Sequence, residues 1–135
     1  MNEAINPDAP KARAEKTWQR ILAPAGVDMP GGIPVGMEAG LVVPAREEEV
    51  PAIGILTTDT AKGADAEIMI SGIMVNLAHA PETGSALLHQ AGGLRRAETA
   101  KDGEWRQEVG VGLGHGKILV RIGNPVRMRM MPFPA

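Results

Sequence analysis

The chain contains no cysteine. That excludes structural disulfides, thiolate metal sites and cysteine nucleophiles. Aromatics are almost as scarce: Trp18, Trp105 and Phe133 are the full set, with no tyrosine. A core must therefore come from Val, Ile, Leu, Ala and Met. Readers of single-stranded nucleic acid stack bases on aromatic platforms, and three such residues so far apart cannot supply one. The same shortage argues against a sugar-binding groove. No apolar run reaches the ~18 residues of a membrane-spanning helix. The opening MNEAINPDAP is polar and reads as no secretory leader, so synthesis in a cytoplasm is expected. A net charge of −2 provides no global field toward nucleic acid or an anionic membrane.

What is present points to a small β protein. The 135 residues fit one domain with room for an arm, and the apolar fraction of 44% suits a packed core. Seventeen glycines and eleven prolines imply dense turns between short strands. From Ile33 onward, apolar segments recur every eight to twelve residues with turn formers between them, the pattern of barrels and sandwiches. Ile33–Met37 and Leu41–Pro44 flank the turn Glu38-Ala39-Gly40 and read as a hairpin. Ala52–Leu56 reads as a buried strand and Ala66–Val75 as a longer one, with Gly72 marking a bend or bulge. Pro81–His89 reads as containing a helical turn, and Gln90–Arg96 as a hairpin tip. Trp105–Leu113 and Ile118–Ile122, joined by Gly114-His115-Gly116-Lys117, form the clearest hairpin. The expectation is all-β: an antiparallel barrel or sandwich of seven to nine strands over residues 31–123.

Both ends differ from this middle. Asp8 can cap a helix and Pro10 suits its first turn, while Lys11–Leu22 is free of Gly and Pro. On such a helix Ala14, Trp18, Ile21 and Leu22 share one face. A short helix with one apolar stripe must dock, either on its own barrel or on a neighbouring subunit. Residues 1–30 are thus expected to form an arm with a Pro/Gly linker. At the other end, residues 124–135 form a tail in which Arg127, Met128, Arg129 and Met130 alternate before Pro132, Phe133 and Pro134. It can finish the barrel as an edge strand or dock on a neighbour. Trp18, Ile21, Leu22, Arg127, Met128, Arg129, Met130 and Phe133 are therefore the candidate partner-binding residues. The acidic run Glu47–Glu49 and the acid-free stretch after Lys117 read as solvated surface or as complementary faces of neighbouring subunits.

Chemistry-bearing patterns are weak. In GVGLGHGK (110–117) Val111 stands where a phosphate loop needs Gly, Ile118 replaces its Ser/Thr, and His115 replaces the third glycine of a dinucleotide fingerprint. Glycines alternating with Val and Leu more often mark a face pressed against another backbone. His79, His89 and His115 follow no metal-ligand spacing. Neither Ser71 nor Ser85 sits in a nucleophile elbow, and the acids form no opposed pair. Lys62, Lys101 and Lys117 lack the hairpin-tip context of a lipoylated or biotinylated lysine. No catalytic residue, metal or cofactor is expected.

Gly32–Ala45, then Ile53-Gly54-Ile55-Leu56, then Ile68–Val75 with its Ser71-Gly72 step, and finally Lys117–Gly123 with Val120-Arg121-Ile122 occur in that order. This series resembles the head decoration, or cement, proteins of tailed bacteriophages over residues 30–123. The resemblance implies a barrel-like subunit, commonly a homotrimer, that binds the major capsid protein at three-fold positions of an expanded capsid. It would stabilise the virion shell against internal pressure and often reach neighbours through its termini. The helix and the Met/Arg tail are departures. The competing expectations are a tail, collar or spike subunit of a phage, or a small bacterial ligand-binding barrel or enzyme.

Overall fold

A computed structural model describes residues 11–46, 49–77, 80–88, 94–96 and 105–127. The chain is all-β, with no helix among the described residues. Its strands are β1 (Arg13–Pro24), β2 (Pro34–Glu38), β3 (Leu41–Pro44), β4 (Gly54–Leu56), β5 (Asp65–Val75), β6 (Gly84–Leu88), β7 (Leu94–Arg96), β8 (Trp105–Arg106), β9 (Glu108–Gly114), β10 (Lys117–Arg121) and β11 (Val126–Arg127). Nine of them form one curled antiparallel sheet in the order β3-β2-β4-β5-β10-β9-β6-β7, with β1 on the other edge of β5. β8 and β11 pair separately, Arg127 lying opposite Trp105.

β5 is the keel of this half-barrel. Its first half pairs with β4 and its second half with β10, while β1 runs antiparallel along its whole length. Successive residues of a strand face opposite ways. Ile55 and Met69, directly paired, belong to one core with Met74, Leu88, Val109 and Ile118. The next pair, Leu56 and Ile68, belongs to a second core with Ala25, Met29, Val35 and Val42. Both faces of the β4–β5 pair are therefore dry, which is why this stretch reads as an unbroken apolar run rather than an alternating one.

The two predicted hairpins close on two-residue turns. Ala39 and Gly40 join β2 to β3, and His115 and Gly116 join β9 to β10, all four with positive φ. Such turns match the right-handed twist of the flanking strands. The glycines of β9 answer to close approach. A side chain on Gly112 would place its Cβ 2.0 Å from the Pro81 carbonyl oxygen, and one on Gly110 would sit 2.5 Å from that of Leu119. At Gly72 the backbone takes φ 149°, and a Cβ there would meet the Lys16 carbonyl oxygen at 2.2 Å. This is the irregularity expected in the middle of β5.

Two local expectations are corrected. Residues 13–24 form the strand β1, not a helix, because an antiparallel partner runs the length of the segment from Arg13↔Val75 to Pro24↔Asp65. Pairing with β5 satisfies backbone groups that a lone amphipathic turn would have satisfied internally, and tertiary pairing overrides the modest helix propensity of this segment. Similarly, Gly84–Leu88 is the strand β6, held between β7 and β9, rather than a helical turn.

Candidate interaction surface

β1 is exposed along most of its length, on both of its faces. Trp18, Ile21 and Leu22 are 55%, 38% and 56% exposed, so three large apolar groups lie open on one strand. A helix would have gathered them into one stripe; the strand divides them. Ile21 lies opposite Ile68 and Leu22 opposite Glu67, so these neighbours point to opposite faces. Trp18 falls in a register shift between Thr17↔Gly72 and Gln19↔Ser71. Three such irregularities interrupt the ladder between Ala14 and Arg20, after which Arg20–Pro24 pairs without interruption.

Polar contacts fasten β1 to the sheet. Arg20 forms an ion pair with Glu67, whose other carboxylate oxygen accepts a 2.8 Å hydrogen bond from the Thr57 hydroxyl. These contacts, the Thr57 bond foremost and Arg20 next, hold the Glu67 carboxyl below its ordinary range. The Ser71 hydroxyl donates to Gln19 at 3.3 Å, and Lys117 reaches Glu15 at 3.0 Å. Arg13 and Lys16 are exposed and have no ion-pair or hydrogen-bond partner for their side chains among the described residues. β1 therefore carries three cations and one carboxylate, and two of the cations are uncompensated.

The other predicted contact residues are placed less completely. Arg127 lies in β11, and Met128, Arg129, Met130 and Phe133 lie outside the described residues. His79 and His89 also lie outside them, while His115 is an exposed turn residue. No group of three or more His, Asp or Glu among the described residues could hold a metal. Trp105 is part of the first core.

A cavity of about 440 Å³ opens where the Lys11–Ala12 segment crosses between Pro30–Ile33 and Asn76–Leu77, with Leu94 behind. Its walls are largely apolar. At its rim Asp59 accepts a 2.8 Å bond from the Gly31 amide and faces Lys11 at 3.5 Å. The amide first, then Lys11, keep Asp59 ionised below the ordinary carboxylate range.

One structurally important residue stands in no motif. Gln107 is buried, and its side-chain amide accepts from the Ala52 N–H and donates to the Ala52 carbonyl, both at 2.7 Å, and to the Gly123 carbonyl at 3.0 Å. It acts as a surrogate strand, stitching the segment before β4 to β9 and to the segment after β10. The sequence signal is a polar residue in buried register, between Trp105 and Val109, in the pattern Trp-x-Gln-x-Val. No protein-family profile and no curated protein matches this chain.

Proposed function

We propose that this chain is a structural virion protein that coats the outer surface of a bacteriophage capsid as a homo-oligomer, most simply a trimer, with the major capsid protein as its partner. The observation that carries the reading is β1: a twelve-residue strand held on a firm sheet, with Trp18, Ile21 and Leu22 open to solvent. The three lie on both faces of one strand, so a partner that wraps β1 would bury apolar groups on either side of it. Many weak contacts repeated over a symmetric shell provide tight overall binding without any single strong site.

The arrangement of the resembling segments also supports the reading. Gly32–Ala45 holds β2 and β3, Ile53–Leu56 contains β4, Ile68–Val75 lies in β5, and Lys117–Gly123 contains β10. These five strands are consecutive neighbours in the sheet, β3-β2-β4-β5-β10. The likeness thus covers one continuous slab of the molecule rather than scattered strings.

The test is first whether a major-capsid gene neighbours the gene for this chain, and then whether the purified chain binds expanded particles assembled from that capsid protein. Analytical ultracentrifugation is expected to show an oligomer, and electron microscopy to show added density on the outer surface of the head. A monomer that leaves expanded particles bare, or density confined to tail or collar, would overturn the proposal.

A further inference from the structure

We infer that the free edge of β1 is the docking edge for an extended, acidic segment of a partner protein. β1 pairs with β5 alone, and among the described residues no other strand pairs along Arg13–Pro24. Except at its C-terminal end, where the chain bridges β3 at Ala25↔Val42, the edge of β1 is consequently open among the described residues, the geometry through which an extended segment adds to a sheet. Charge selects the occupant. Arg20 is matched by Glu67 and Glu15 by Lys117, which leaves Arg13 and Lys16 as the uncompensated charges along this edge. They lie on the same strand as the exposed Trp18. A segment alternating carboxylates with apolar side chains would answer both features.

The same features disfavour a second copy of β1. Two copies laid edge to edge would bring their excess cations together, and like charges across a strand pair are destabilising. The irregularities at Ala14–Lys16, Thr17–Gln19 and Gln19–Arg20 further spoil a continuous self-paired ladder. The inference rests on the capsid-coat reading for which protein supplies the segment, but not for the chemistry of the edge.

The experiment uses the full chain and two synthetic probes, the capped hexapeptides Glu-Val-Glu-Val-Glu-Val and Lys-Val-Lys-Val-Lys-Val. Titrations run at about 20 mM salt, where exposed charges are least screened. The acidic peptide is expected to bind and to shift the emission of Trp18 to the blue, while the buried Trp105 contributes a background that does not shift. The basic peptide is expected not to bind. Arg13→Glu with Lys16→Glu should weaken the acidic peptide about tenfold or more, and the milder Arg13→Gln with Lys16→Gln should weaken it less, both with unchanged circular dichroism. Equal binding of the two peptides, or indifference to both double variants, would overturn the inference. Expanded capsids separate it from the coat reading. If wild type and the charge-reversed variant bind them equally, the coat reading stands and the edge inference fails. If the peptide results hold but wild type leaves capsids bare, the edge inference stands and the coat reading fails.

Discussion

Replacing Gln107 by Leu keeps the volume and the burial of the side chain but removes three hydrogen bonds, two to Ala52 and one to Gly123. Ala52 is buried, so its N–H and carbonyl would both lose their partner with little access to water. Gly123 is only partly covered, and solvent can take over its carbonyl. Each orphaned buried group costs about 1–3 kcal/mol, and the added apolar contact of Leu returns a fraction of that. The expected loss is about 3 kcal/mol. For a chain of this length the unfolding entropy is about 0.3 kcal/mol/K, so the melting midpoint should fall by about 10 °C. Thermal melts followed by circular dichroism, with urea titrations in parallel, measure it. Gln107→Glu is the companion variant. A carboxylate can accept from the Ala52 N–H but would face two carbonyl oxygens, so its deficit at neutral pH should shrink as acid protonates it. A Gln107→Leu protein melting within about 2 °C of wild type, with the same urea dependence, would show that this amide does not join the two segments as argued.

Other consequences follow from single contacts. Thr57→Val removes the hydroxyl that bonds Glu67 and should cost about 1 kcal/mol at neutral pH. Because Glu67 is held below its ordinary range when folded, its contribution is fully present above the ordinary glutamate range and is lost as pH falls through the depressed folded value. The gap between Thr57→Val and wild type should therefore narrow progressively in urea titrations as pH falls from neutral through the ordinary glutamate range and below it. Ala39 sits at φ 54° in the β2–β3 turn, a conformation that costs a residue with a Cβ about 1–2 kcal/mol. Ala39→Gly should raise stability by about 0.5–1 kcal/mol after its greater unfolded-state entropy is counted, read from the same titrations.

Much of the fold is legible in the sequence where local chemistry and tertiary context agree. The Ala39-Gly40 and His115-Gly116 turns announce their hairpins, and the alternating glycines of β9 announce a backbone lying against a backbone. The failure at 13–24 has a physical cause. Lys, Glu, Arg, Ala and Leu are good helix formers, and Ala14, Trp18, Ile21 and Leu22 happen to fall at helical spacing. That spacing normally signals a buried face, yet here Trp18, Ile21 and Leu22 are all exposed, so the periodicity was never tied to packing. What decides the segment is β5, more than forty residues away, and no local pattern encodes that pairing. The helical spacing implies a docked face for those three side chains, whereas the strand leaves them exposed, and Gln107 is illegible in the sequence because a lone polar residue in buried register carries no motif.

The exchange of a helix for a strand changes what β1 can do in an assembly. Twelve residues of helix span about 18 Å, whereas twelve residues of strand span about 40 Å. A helix would have offered one compact stripe and a single contact. The strand offers an open edge between two faces, with Leu22 on one and Ile21 on the other, so one element can meet more than one neighbour at once. Its anchoring follows a complementary logic. The uninterrupted run Arg20–Pro24 and the Thr57–Glu67–Arg20 contacts fix one end to the sheet, the pairs Arg13↔Val75 and Ala14↔Met74 with the Lys117–Glu15 ion pair fix the other, and the irregular stretch between them leaves Trp18 out of the ladder. A strand fastened at both ends and irregular in its middle can adapt to a partner without loosening the cores beneath it, because Ile68 and Met69 keep both faces of β5 packed whatever lies on the far side of β1.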